Sequence, residues 1–164
     1  MNGVIVKKIY LDMDGVIANF EKRYTQLYGH ISEQVRRSEF RDNFKNFIQT
    51  EQFATLELMD DGRELISYLE SLDIPTEILS STAYDEVYET ISMQKSRWLT
   101  THNVTFKRNF VPGKRHKYKW AQPDTVIIDD TFSVIEDWEK AGGIAVHHRN
   151  TSTTIDHLKS ILGA

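Results

Sequence analysis

The stretch KKIYLDMDGVIANF, residues 7–20, runs an apolar segment, Ile9-Tyr10-Leu11, straight into two carboxylates two positions apart and then a glycine. Residues 4–12, VIVKKIYLD, read as a short strand: few residues, several of them β-branched or aromatic, and a breaker at the end. Asp12 and Asp14 therefore close that strand at its carboxyl end. Three further runs share the same character, PTEILSS (75–81), DTVIIDD (124–130) and GIAVHH (143–148). The second strand ends in Ser80, Ser81 and Thr82, and the third in Asp129 and Asp130.

Between these runs the spacing turns helical. DDGRELISYLESLD places Leu65, Ile66, Leu69 and Leu72 on one face, and TFSVIEDWEKAGG does so with Phe132, Ile135 and Trp138 before stopping at Gly142 and Gly143. STTIDHLKSIL is a closing amphipathic helix, entered through the Thr/Ser-rich stretch 151–154 as its cap. Strands alternating with helices predict an α/β fold, a parallel sheet flanked by helices on both faces. Residues 20–58 break the rhythm. They are helical in pattern, rich in aromatics and charges, and too long for an ordinary strand-to-helix connection. A small helical insertion at 20–58, on a core made of 1–19 and 59–164, accounts for this. Residues 83–123 hold a helix (YDEVYETISMQKSRWLTTH), a short strand (VTFKRNFV) and a basic segment, GKRHKYKWAQP.

The composition bounds the chemistry. With 164 residues, 40% hydrophobic and 27% charged, the chain can bury the core of one domain. A net charge of −4 with interleaved signs gives no basic surface for polymeric nucleic acid and no polycationic membrane patch. The absence of cysteine excludes disulfides, zinc-thiolate sites and thiol catalysis, so a metal must sit among oxygens or imidazoles. No apolar run approaches a membrane span, and none precedes Lys7 and Lys8 as a signal peptide would. A soluble cytoplasmic protein is the expectation, and a homodimer stays open.

In parallel α/β sheets, ligands bind at the carboxyl ends of the strands. Acids at two such ends, hydroxyls at a third, and Lys114, Lys117 and Lys119 just before the last acidic pair describe a Mg²⁺ and phosphate site. Hard oxygens hold magnesium, while a hydroxyl and an ammonium hold phosphate oxygens. The other reading of D-x-D, a calcium loop, fails. Counted from Asp12, its fifth, sixth and twelfth positions are Val16, Ile17 and Arg23, where an acid or amide, a glycine and a glutamate are needed. His147 and His148 are neighbours on a strand and point to opposite faces, so they read as structural.

With DMDGV (12–16), ILSST (78–82), a lysine within 114–119 and IIDD (127–130) in order, the chain resembles the haloacid dehalogenase (HAD) superfamily of phosphotransferases. LDMDGVIANF followed by FATLELMDDGRELISYL resembles its 5′(3′)-deoxyribonucleotidases. The resemblance implies a Rossmann-like, HAD-like core, with residues 20–58 as a cap. Asp12 would be the nucleophile and Asp14 the general acid and base. Mg²⁺ would be held by Asp12, the Asp14 carbonyl and Asp130, with Asp129 orienting a water or the lysine. Ser81 matches the phosphate-binding hydroxyl, with Ser80 and Thr82 beside it. Counting back ten residues from the acidic pair selects Lys119; a slightly longer loop around Pro123 selects Lys117, and Lys114 stands third. The family's polar run after the acidic pair is missing, because Glu136 and Asp137 come too far along the helix.

On the substrate side, Phe20 matches a position where the nucleotidases stack an aromatic ring on the base, and Phe53 could complete a clamp. Phe44 and Phe47, three apart on a helix, read as the insertion's own core, and Arg36, Arg37 and Arg41 as a solvated face. The expected partner is a small phosphomonoester, a deoxynucleoside monophosphate first. Three alternatives compete: a sugar-phosphate phosphatase, a polynucleotide 3′-phosphatase lacking the expected basic groove, and a non-catalytic binding protein that kept the fold. The last would have no need to retain both Asp12 and Asp14.

Overall fold

The computed structural model describes residues 5–163. Among them run five strands, β1 (Lys8–Leu11), β2 (Thr76–Ser81), β3 (Lys107–Val111), β4 (Thr125–Asp129) and β5 (Ile144–His147). They form one sheet, ordered β3-β2-β1-β4-β5 with every pairing parallel. Six helices accompany them: α1 (Phe20–Tyr28), α2 (Arg37–Gln49), α3 (Gly62–Glu70), α4 (Tyr88–Thr101), α5 (Phe132–Lys140) and α6 (Thr151–Leu162). The expected parallel α/β architecture is present, and the 104–111 run does contribute an edge strand. The first strand is shorter than its sequence pattern, and Val4 lies outside the described residues.

Because side chains alternate along a strand, each strand feeds two cores. Ile9, Leu11, Ile78, Val126 and Ile128 join Leu65, Leu69, Trp98 and Leu158 from α3, α4 and α6. Tyr10, Leu79 and Ile127 face the other way, onto Val134, Ile135 and Trp138 of α5. The Trp138 ring meets Tyr10 edge-on at 5.6 Å. Two of the three tryptophans, Trp98 and Trp138, are wholly buried, and truncating either to alanine would cost roughly 3–5 kcal/mol.

Two local expectations need correction. Phe132 is 62% exposed rather than on the buried face of α5. It opens the helix, and its turn lies beyond the sheet, so Val134 takes its place in the core. The cap of α6 is Asn150, whose side chain accepts from the Thr153 amide, while Thr151–Thr154 form the helix's first turn.

Residues 20–58 form α1, α2 and two 3-10 turns, Ser32–Gln34 and Gln52–Ala54. Tyr24, Phe44, Phe47 and Phe53 belong to the same hydrophobic cluster as the sheet and α4. The fit to α4 is also polar. Gln94 accepts from the Phe53 amide (3.3 Å) and donates to the Ile48 carbonyl (2.9 Å), and Trp98 donates its indole N–H to the Leu56 carbonyl (2.7 Å).

Candidate active site

β1 is central, with β2 on one side and β4 on the other, so the chain reverses direction across the sheet at this point. The loops leaving neighbouring strands part there and open a crevice at the carboxyl ends. A cleft of about 980 Å³ occupies it. Asp12, Asp14, Ser81, Thr82, Lys114, Asp130 and Thr131 line one side, and Phe20, Phe40, Phe44, Phe53 and Tyr84 contribute an aromatic wall. Glu21, Ser32 and Glu33 add polar groups on the helical side.

The turn after β1 is built for close approach. Gly15 adopts φ +81°, and a Cβ placed there would lie 2.0 Å from the Asp130 carboxylate. Only glycine suits both the left-handed backbone and the contact. Met13 accepts from the amides of Val16, Ile17 and Ala18, which fixes the turn that presents Asp12 and Asp14.

Lys117 is the lysine brought to the acids. It is 1% exposed, and its Nζ donates to Asp12 Oδ1 (2.9 Å) and Asp129 Oδ2 (2.7 Å). Burial works against its charge, but the two carboxylates outweigh that and raise its pKa. Asp12 is pushed up by burial, yet Lys117 above all, with Lys95 and Lys114, brings its carboxyl below the usual range. Asp129 is fully enclosed, with Oδ1 accepting from the Thr131 amide, and desolvation and the charge of Asp12 raise it. Asp130 reaches into the cleft, where desolvation and the charges of Asp12 and Asp129 push it up to about 8. Oxygens of Asp12, Asp129 and Asp130 lie within 4.8 Å of one another.

Lys119, the residue chosen by counting, is exposed and sits 3.1 Å from His116 Nδ1, away from the acids. The hydroxyls also sort themselves. Ser81 Oγ accepts from the Ala83 amide at 3.1 Å, which leaves its proton free for an anion in the cleft. Thr82 directs its hydroxyl to the Val111 carbonyl at 3.3 Å, and Ser80 is wholly buried behind the strand end, so neither offers a free hydroxyl to the cleft. Phe20 and Phe53 both line the cleft and stack on each other, centroids 5.8 Å apart with planes 15° apart. Phe44 also reaches the cleft, whereas Phe47 is wholly buried. Arg36, Arg37, Arg41, Glu136 and Asp137 are exposed and lie outside the cleft lining. His147 and His148 stay apart, one against the Asp130 carbonyl and the other buried against Thr154.

One residue escapes motif reading altogether. Lys95 of α4 is 2% exposed and donates to Asp14 Oδ2 (2.9 Å), Ser80 Oγ (2.7 Å) and the Ser81 carbonyl (2.7 Å). The available signal was positional: Ile91, Lys95 and Trp98 follow helical spacing along the buried face of α4.

This sheet order, with the acids at the ends of the central strands, defines a HAD-like Rossmann-type fold. No family model matches the chain, and no curated protein matches it either. Solved structures do. A HAD-superfamily hydrolase from Ehrlichia chaffeensis is similar at TM-score 0.55 and 12% identity, covering 100% of each chain. A hydrolase from Streptococcus pneumoniae is similar at TM-score 0.53 and 15% identity, over 97% of this chain and 99% of its own. A HAD-family enzyme from Bacteroides thetaiotaomicron, in complex with magnesium and inorganic phosphate, is similar at TM-score 0.51 and 14% identity, over 88% and 94%. At these identities the likeness establishes the fold. Among the described residues, no helix is long and apolar enough to cross a membrane.

Proposed function

We propose that the protein is a Mg²⁺-dependent phosphomonoesterase that removes phosphate from deoxynucleoside monophosphates. The observation that carries this reading is a cleft that sets Asp12, Asp14, Asp130 and the free Ser81 hydroxyl against an aromatic wall. The donor set suits a divalent cation. Asp12, Asp14, Asp129 and Asp130 face two buried ammonium groups, Lys95 and Lys117, so the cluster fully ionised carries two negative charges in excess. Mg²⁺ would be held by the Asp12 and Asp130 carboxylates and the Asp14 carbonyl, where it would offset repulsion between an anionic nucleophile and an anionic ester. The neighbour solved with magnesium and phosphate shares this fold, which supports the assignment.

The residues divide the work as follows. Lys117 occupies Asp12 Oδ1 and leaves Oδ2 to attack phosphorus. As the Asp12 Oδ2–P bond forms, the ester P–O bond breaks, and Asp14 gives its proton to the departing oxygen. Water then attacks the aspartyl-phosphate, Asp14 takes a proton from it, and the Asp12–P bond breaks. Ser81 and Lys117 hold the phosphoryl oxygens. Phe20 and Phe53 provide the flat apolar surface for a base, a contact worth roughly 1–3 kcal/mol per base by analogy with single-strand binders.

Phosphate release from deoxy- and ribonucleoside monophosphates and sugar phosphates, with and without Mg²⁺, tests the proposal. Mg²⁺-dependent release from deoxynucleotides, abolished in Asp12→Asn, is the expected result. Release from sugar phosphates alone would keep the chemistry and overturn the substrate class, assigning Glu21, Ser32 and Glu33 to a polar leaving group. A folded, Mg²⁺-binding protein inert on the whole panel would overturn the reading.

A further inference from the structure

We infer that Lys95 is a positioning residue for proton transfer: it fixes the Asp14 carboxyl so that one oxygen alone serves the departing group and the incoming water. The inference rests on the phosphomonoesterase reading above.

An ammonium has three N–H donors, and all three of Lys95 are spent within the protein, on Asp14 Oδ2, Ser80 Oγ and the Ser81 carbonyl. No donor is left for a phosphate oxygen, so its part differs from that of Lys117. The face of the Phe53 ring lies 5.2 Å away and helps to hold the cation where water does not reach. Asp14, by contrast, is divided. Its Oδ2 is taken, while its Oδ1 is buried beside the cleft without a partner among the described residues. A buried oxygen with no partner is costly unless something else is to meet it. Here the atom left over is the one that must exchange a proton with substrate.

The tripod also removes a freedom that would harm catalysis. A carboxyl turning about its Cβ–Cγ bond presents either oxygen, and proton transfer requires one oxygen within hydrogen-bond reach of the leaving atom. Lys95 pins one end of that rotor to the strand end carrying Ser81, so the acid and the phosphate-binding hydroxyl share a single support. The proton that moves goes from Asp14 to the leaving oxygen, and later from water to Asp14.

A lysine that merely secures α4 to β2 would, when lost, slow all substrates alike. A positioning lysine would slow those whose leaving group needs the proton. Single-turnover release from benzyl phosphate and from 4-nitrophenyl phosphate, enzyme in excess with Mg²⁺, separates the two, because nitrophenolate departs without protonation. In Lys95→Met, benzyl alcohol release is expected to fall roughly a hundredfold while nitrophenolate release falls less than about threefold, with half-saturation unchanged. Asp14→Asn should show the same selectivity, more steeply. Ser80→Ala, which removes one leg of the tripod and keeps the lysine, should show it weakly, so the test survives should Lys95→Met fail to fold. Parallel loss on both esters, or no loss on either, overturns the inference while the phosphomonoesterase reading stands. A wild-type protein inert on both esters and on the nucleotide and sugar-phosphate panel overturns that reading first, and this inference with it.

Discussion

A lysine enclosed with two carboxylates is stable only while all three charges stay together. Lys117 supplies the sole ammonium bonded to both Asp12 and Asp129 among the described residues; Asp129 is wholly enclosed, and Asp12 meets solvent only at the cleft. Lys117→Met is expected to leave an uncompensated buried charge, costing roughly 3–5 kcal/mol in denaturant unfolding, and to abolish phosphate release. Lys119→Met should change stability by no more than about 0.5 kcal/mol and leave turnover intact, because its amine is solvated. The local helix type explains the difference. Lys114–Trp120 is a 3-10 turn, which repeats every three residues, so Lys114, Lys117 and Trp120 share one side and Lys119 does not. Counting along the chain cannot see that period; equal turnover loss in both variants would refute the assignment.

At the scale of elements, the junction of β5 and α6 holds the acidic strand end in place. The His148 amide donates to the Asp129 carbonyl (2.8 Å), and its Nδ1 pairs with the Thr154 hydroxyl on α6 (2.7 Å). Burial lowers its pKa; Asp61 and Asp12 oppose the shift, and His147 adds to it. The folded protein thus binds fewer protons than the unfolded chain, whose histidine titrates near 6.5, so stability should fall as pH drops below about 6.5. His148→Asn should be less stable at neutral pH but lose less on going to mildly acidic pH, as read by denaturant midpoints. An identical slope in both proteins would remove the histidine from the account. The same scale shows what the sequence made legible. β-branched runs located the strands, and the acids and hydroxyls at their ends located the cleft, because both signals are local. The buried face of α5 and the role of Lys95 were not local. Phe132 has the right spacing but starts its helix past the sheet, and Lys95 resembles any helical lysine until α4 docks against β2.

For the whole molecule, the crowding of Asp12, Asp129 and Asp130 at the cleft ties stability to protons and cations. Asp130 carries a carboxyl raised to about 8 by desolvation and by Asp12 and Asp129, so near neutral pH folding must add a proton that the unfolded carboxylate lacks, and this opposes folding. The strain falls on a site joined to everything else, since residues 20–58 and the sheet share one hydrophobic cluster. Two consequences can be measured in the same thermal titration. Mg²⁺ should raise the melting temperature of the wild-type protein by mass action, the added stability reaching about 2.7 kcal/mol at a hundredfold excess over its dissociation constant. Asp130→Asn should melt higher than wild type without metal, because an amide needs no proton uptake to enter the crowded site, and should respond far less to Mg²⁺. A variant that melts lower without metal would mean that Asp130 is held by its neighbours rather than repelled by them. Persistence of the full Mg²⁺ response in that variant would place the ion elsewhere than between Asp12 and Asp130.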